Sequence, residues 1–94
     1  MTYVELASHV ADQIIEDCKN DNFESFNEMV DCYWWESSDI KEYVGGIIDD
    51  IAQQTGTDSY IDEIDGDVIV DGDEIIKFRK FMTAVRKYLR ESGY

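Results

Sequence analysis

The charged residues of this chain are segregated along it. The first 76 positions hold 21 of the 22 acidic residues, with only Lys19 and Lys41 against them, a formal charge of −19. The last 18 reverse the sign: Lys77, Arg79, Lys80, Arg86, Lys87 and Arg90 stand against Glu91 alone, giving +5. Like charges oppose compaction, so a chain of 94 residues carrying −14 must gather its apolar side chains on common faces. The basic end can neutralise acidic neighbours inside the fold, and this internal role is the expectation for it. At longer range the charge repels nucleic acid and anionic membrane and attracts basic surfaces over roughly a Debye length.

Hydrophobic residues make up 44% of the chain, enough for one core, so the acidity does not signal disorder. Residues 1–94 read as a single domain. Met1 leads into Tyr3-Val4-Glu5 without a basic stretch or a long apolar run, so no signal peptide is expected. No segment approaches the roughly 20 apolar residues of a membrane span. Cys18 and Cys32 are too few for a disulfide framework and form no Cys-x-x-Cys. They read as reduced, core-packed thiols of a cytoplasmic protein.

Four segments carry the helical period. Thr2-x-x-Glu5 is a capping box, followed by Tyr3, Leu6, Ala7, Val10, Ala11, Ile14, Ile15 and Cys18 on one stripe to about Lys19. Asn20-Asp21-Asn22 ends that helix, and Asp21 with Glu24 three residues on predicts the cap of a second, burying Phe23, Phe26, Met29, Val30 and Tyr33. After Glu36-Ser37-Ser38 a third stripe runs through Ile40, Tyr43, Val44, Ile47, Ile48, Ile51 and Ala52, with Gly56 as its stop. Gly45-Gly46 inside it should cost roughly 1 kcal/mol per glycine, which a close backbone approach or a kink would explain. Asp71-x-x-Glu74 reads as the box opening a last helix, with Ile75, Phe78, Phe81, Met82, Val85, Tyr88 and Leu89 inward.

Residues 57–74 differ: eight acids, no base, two Asp-Gly pairs and the β-branched run Val68-Ile69-Val70. Asp65-Gly66 between Ile61/Ile64 and Val68/Val70 fits a short hairpin, and a helical turn over residues 58–64 competes with it. The fold class is therefore mostly α: a compact bundle of about four helices with a short β-hairpin near residues 61–70 as the non-helical candidate.

No chemistry-bearing motif stands out, so the chain reads as a non-enzyme without a cofactor. Neither register of the acidic loops places Asp first, Gly sixth and Glu twelfth, as a helix-loop-helix calcium site requires, so turn chemistry explains Asp65-Gly66 and Asp71-Gly72 better. His9 has Glu5 and Asp12 one turn to either side, a poor metal set, and Cys18 lies on the opposite face of its helix. Tyr33-Trp34-Trp35 cannot share one buried face, so at least one tryptophan points elsewhere, as a partner anchor or as a lid over the helix ends.

What remains is the acidic surface. Glu5, Asp12 and Glu16 share the outer face of the first helix, Glu24, Glu28 and Asp31 that of the second, and Glu42, Asp49 and Asp50 face outward on the third. Asp62, Glu63, Asp65 and Asp67 add a loop. Acids four apart on a helix place one charge per roughly 6 Å, against one per roughly 1.7 Å of duplex DNA axis. One helix cannot imitate a duplex, but three or four such rows side by side approach its density. A charge of −14 also exceeds what solubility asks of a small domain.

In size, charge and helix content the chain resembles the acidic inhibitors that phages and mobile elements direct against host nucleases and DNA-binding complexes, the anti-restriction and anti-CRISPR DNA mimics. It is also similar to colicin-type nuclease immunity proteins, although Gly56-Thr57-Asp58-Ser59-Tyr60 has one tyrosine and no proline where those proteins have paired tyrosines and a proline. The first resemblance implies a stoichiometric inhibitor offering an acidic face to a basic nucleic-acid-binding protein or complex. The alternative is an interaction module that binds through Trp34 and Trp35.

Overall fold

Thr2 opens the first helix as predicted: the Glu5 N–H donates to its hydroxyl at 3.2 Å, and the Glu5 carboxylate accepts from the Thr2 N–H at 3.4 Å. The computed structural model describes residues 1–94. Its elements are α1 (Tyr3–Asn20), α2 (Phe26–Cys32), α3 (Ser37–Thr55), β1 (Tyr60–Ile61), β2 (Val68–Val70), β3 (Glu74–Ile76) and α4 (Phe78–Glu91). The protein is mostly α, with one small antiparallel sheet of order β1-β2-β3.

The most extensive packing joins α1 to α4. Leu6, Val10 and Ile14 of α1 and Phe81, Val85 and Leu89 of α4 are all buried in one cluster with Val44, Ile47 and Ile48 of α3. Each such side chain contributes about 1.5–3 kcal/mol by leaving water. Ser59 and Asp67 are the only polar or charged side chains among the buried residues, so the interior is nearly all apolar.

Three helices end in the same way. The residue after each C-cap takes a left-handed conformation, and the next two N–H groups bond back to the last turn. After α1, Asn22 (φ 60) donates to the Lys19 carbonyl and Phe23 to that of Cys18. After α2, Trp34 (φ 57) donates to Asp31 and Trp35 to Val30; after α4, Gly93 (φ 84) donates to Arg90 and Tyr94 to Leu89. Phe23, Trp35 and Tyr94 then fold back onto the core. Left-handed Gly56 (φ 69) closes α3, the stop the sequence predicts.

Several expectations are corrected. Asp21 closes α1 instead of capping α2; Ser25 does that, accepting the Glu28 N–H at 3.1 Å. Glu24 therefore precedes the helix, and its N–H donates to the Glu28 carboxylate. Tyr33 is exposed, because α2 ends before it, and Cys32, the last residue of α2, is exposed where core packing was expected; Cys18 is buried as expected.

Asp71-x-x-Glu74 does not open the last helix. Asp71 (φ 53) and Gly72 (φ 81) form a tight turn with the Asp73 N–H on the Val70 carbonyl, and Glu74 to Ile76 pair with β2. Two positive φ values in succession match the twist of a hairpin, and Asp-Gly suits them. Ile75 consequently sits on the sheet's outer face, opposite Ile69. The predicted hairpin at β1 and β2 is present, with Ile61 opposite Val68, but residues 62–67 form a longer loop and Ile64 is exposed at its tip.

Gly45 explains itself by approach: β1 lies over α3 there, and a Cβ would stand 3.4 Å from Ile61 Cδ1. Nothing lies within 4 Å of a Cβ at Gly46, and α3 runs unbroken through both. Gly46→Ala should therefore stabilise the protein by about 1 kcal/mol in urea unfolding. Gly45→Ala should gain less, because its methyl presses on Ile61. Equal gains at the two positions would show that Ile61 yields freely.

Candidate partner-binding surface

Only two ion pairs form: the Met1 ammonium with Asp71 at 2.7 Å, and Lys77 Nζ with Asp67 at 3.3 Å. The other cations lie over rings or in water. Lys41 Nζ sits 5.1 Å from the Phe78 centroid, Lys80 Nζ 5.3 Å from Tyr3, and Arg86 Cζ 5.2 Å from Phe26, its Nη1 donating to Asn27. The expectation that the basic helix neutralises its acidic neighbours thus fails for α4 itself, none of whose bases pairs with a carboxylate. Amphipathic stems let these side chains cover apolar surface while their heads remain at the boundary.

Most of the acids singled out from the sequence are left unpaired and exposed: Glu5, Asp12, Glu16, Glu24, Glu28, Asp31, Asp49, Asp50, Glu63 and Asp65. Two belong to the loop's own frame instead. Asp67 is 8% exposed and held by Lys77, which withdraws it from the outer surface. Asp62 is partly buried, its carboxylate accepting the Ile64 N–H at 2.9 Å and its carbonyl the Gly66 N–H at 2.8 Å.

The fold gathers a subset of these acids around one groove of about 690 Å³ between α3 and the residues 62–67 loop. Glu42 and Asp49 line it from α3, and Asp62, Glu63 and Asp65 from the loop. Gly45 and Gly46 leave the middle of its α3 wall bare between Glu42 and Asp49, Ile64 stands exposed at the loop tip, and Lys41 is the one base in the lining. A second groove, about 490 Å³, brings Asp12 and Glu16 of α1 beside Gln54 and Thr55 of α3, with His9. Glu5, Glu24, Glu28, Asp31 and Asp50 line neither groove. The sequence pointed to the acids, Glu42 among them, but not to their meeting Ile64 and Gly45-Gly46 in one concavity, because that depends on β1 packing on α3.

The aromatic triplet divides its labour. Trp35 stacks on Tyr33 at 5.3 Å and lies 4.8 Å from Tyr43, which stacks on Phe26 at 6.5 Å; this ring is the lid over the helix ends. Trp34 is 88% exposed. Asp21 raises the pKa of the Tyr33 hydroxyl above its ordinary value, chiefly through its charge. Burial, followed by a hydrogen bond to Asp17, raises that of Tyr43 further.

No group of three or more His, Cys, Asp or Glu side chains is arranged to hold a metal ion. No helix is long and apolar enough to cross a membrane.

Two predictions follow from these charges. With so few ion pairs, raising ionic strength from about 0.02 to 0.3 M should raise the melting temperature by screening self-repulsion; an unchanged value would mean that repulsion does not limit stability. Tyr43 supplies the second. A phenol whose folded pKa lies above its unfolded value of about 10 stabilises fully below that pH and loses the contribution as pH rises past it. Tyr43→Phe should lower urea midpoints near pH 8, through the lost Asp17 bond, but flatten the decline above about pH 10. Parallel declines in both proteins would remove Tyr43 as the cause.

Comparison with family models, with curated proteins and with solved structures finds no match, so the reading of this surface rests on its own residues.

Proposed function

We propose that the protein is a stoichiometric inhibitor that presents an acidic, nucleic-acid-like surface to a basic nucleic-acid-binding protein or complex and competes with the nucleic acid. The observation that carries this reading is the acidic groove: four exposed carboxylates, Glu42, Asp49, Glu63 and Asp65, converge with the partly buried Asp62 on one concavity in which no carboxylate is ion-paired and Lys41 is the one base. Exposed carboxylates left unpaired strengthen the field that steers a basic partner and accelerates encounter. Asp12 and Glu16 on α1 extend the negative surface beyond the groove. Targets that fit are complexes whose basic channels hold DNA or RNA, CRISPR effectors and restriction enzymes among them.

The test is competition. A basic partner captured from a bacterial lysate should release labelled DNA or RNA as this protein is added, and the protein should bind neither nucleic acid itself. Reversing Asp49, Glu63 and Asp65 to lysine leaves the core and the Asp62 turn untouched, and should slow association by on the order of tenfold or more at low salt. A partner that keeps its nucleic acid while holding this protein would overturn competition. Unchanged association by the reversed variant would remove the groove as the contact.

A further inference from the structure

Three helices of this protein end in one backbone geometry, which makes their left-handed residues an internal comparison. That position is Asn22 after α1, Gly93 after α4 and Trp34 after α2; left-handed Gly56 ends α3. Glycine lacks the Cβ that makes this conformation unfavourable, and asparagine tolerates it, whereas a bulky side chain there is an outlier. The helix-ending pattern itself therefore does not call for tryptophan. Nor does packing: the indole is 88% exposed, takes part in none of the ring contacts that Trp35 makes, and lies outside the core cluster and the residues packed against it. Strain at a residue that serves neither the turn nor the core points to a role outside the isolated fold.

The chemistry around the indole says what it would meet. Between Lys19 and Lys41 the chain holds six acids and no base: Asp21, Glu24, Glu28, Asp31, Glu36 and Asp39. Asp31 supplies the carbonyl that the Trp34 N–H caps, and Glu36, two residues after Trp34, forms with Asp39 the capping box that begins α3. Asp21 already shifts the adjacent Tyr33 hydroxyl by its charge. No cation of the protein itself occupies the indole: its three cation–ring contacts are on Phe78, Tyr3 and Phe26.

We propose that Trp34 is a platform for an arginine side chain of a basic protein partner, the guanidinium stacking on the exposed indole while the exposed acids that flank it in the chain, Asp31 and Glu36, attract the cation to this end of the molecule. Arginine fits better than lysine because its planar, weakly hydrated head stacks on an aromatic face. This assignment rests on the reading above only for the positive charge of the partner.

The experiment uses two synthetic peptides of equal length and charge, one with arginine and one with lysine as its cation, titrated against the full chain at about 0.15 M salt. Wild type should prefer the arginine peptide by about five-fold or more, and Trp34→Phe should keep part of that preference. Trp34→Gly should lose the preference while its melting temperature rises by about 4 °C, since glycine relieves the left-handed strain. A Trp34→Gly variant that retains the preference, or that melts lower than wild type, overturns the platform, the latter by showing the indole to be structural. Equal binding of both peptides by wild type also overturns it and leaves the acidic-surface reading standing. Binding of neither peptide sinks both.

Discussion

The packing of α1 against α4 is the contact on which everything else in this molecule depends. It joins the start of the acidic segment to the basic end of the chain through an interface that is apolar at its centre, with Leu6, Val10 and Ile14 against Phe81, Val85 and Leu89 in one cluster. The bases around it do not discharge the acids. Lys80 lies over Tyr3 and Arg86 over Phe26, where a ring quadrupole attracts the cation without consuming a carboxylate. The cations thus reinforce the packing while the acidic surface keeps its charge. Had they been drawn into salt bridges, the local field of the paired carboxylates would be weaker, for a gain that in exposed pairs seldom exceeds about 1 kcal/mol.

Where the apolar period was long, the sequence was legible. The first and third helices run for 18 and 19 residues, and their stripes, the Thr2 box and the Gly56 stop all appear in place. The short α2 was misjudged at both ends. Asp21 and Ser25 are both competent caps, and the choice between them was made by Asn22 turning left-handed and drawing Phe23 back onto Cys18, a tertiary event. The early end of α2 left Tyr33 outside the buried stripe.

The two Asp-Gly pairs show how one dipeptide serves two purposes. Asp71-Gly72 makes the tight turn, yet Asp71-x-x-Glu74 spells a capping box equally well, and local chemistry alone cannot separate them. Pairing decides: Ile75 and Ile76 meet Ile69 and Val68 across the sheet. Asp65-Gly66, read as the hairpin turn, belongs instead to a longer loop framed by Asp62, with Gly66 beneath the Lys41 side chain. That loop is why the candidate site was only half visible. Its acids could be counted in the sequence, but the groove exists because Ile61 settles on Gly45 and brings the loop beside Glu42 and Asp49.

Electrostatic attraction of this kind is long-ranged and weakly directional; it sets encounter rates better than it sets orientation. An exposed indole supplies what charge lacks, a contact that is short-ranged and geometrically particular. Both are tied to α3. Trp34 precedes its first residue, Ser37, and the groove opens between Glu42 and Asp49. The groove's α3 acids lie from five (Glu42) to twelve (Asp49) residues beyond Ser37, about 8 to 18 Å along a helix axis at 1.5 Å per residue. Against a physiological Debye length of about 8 Å, the far acids are largely screened at the indole and Glu42 only in part, so the two contacts are weakly coupled. A partner that engages both must therefore carry its cations on one surface at a matching separation. A flexible basic tail satisfies the groove alone; a folded basic protein can satisfy both, and the rigid helix between them is what would tell the two apart.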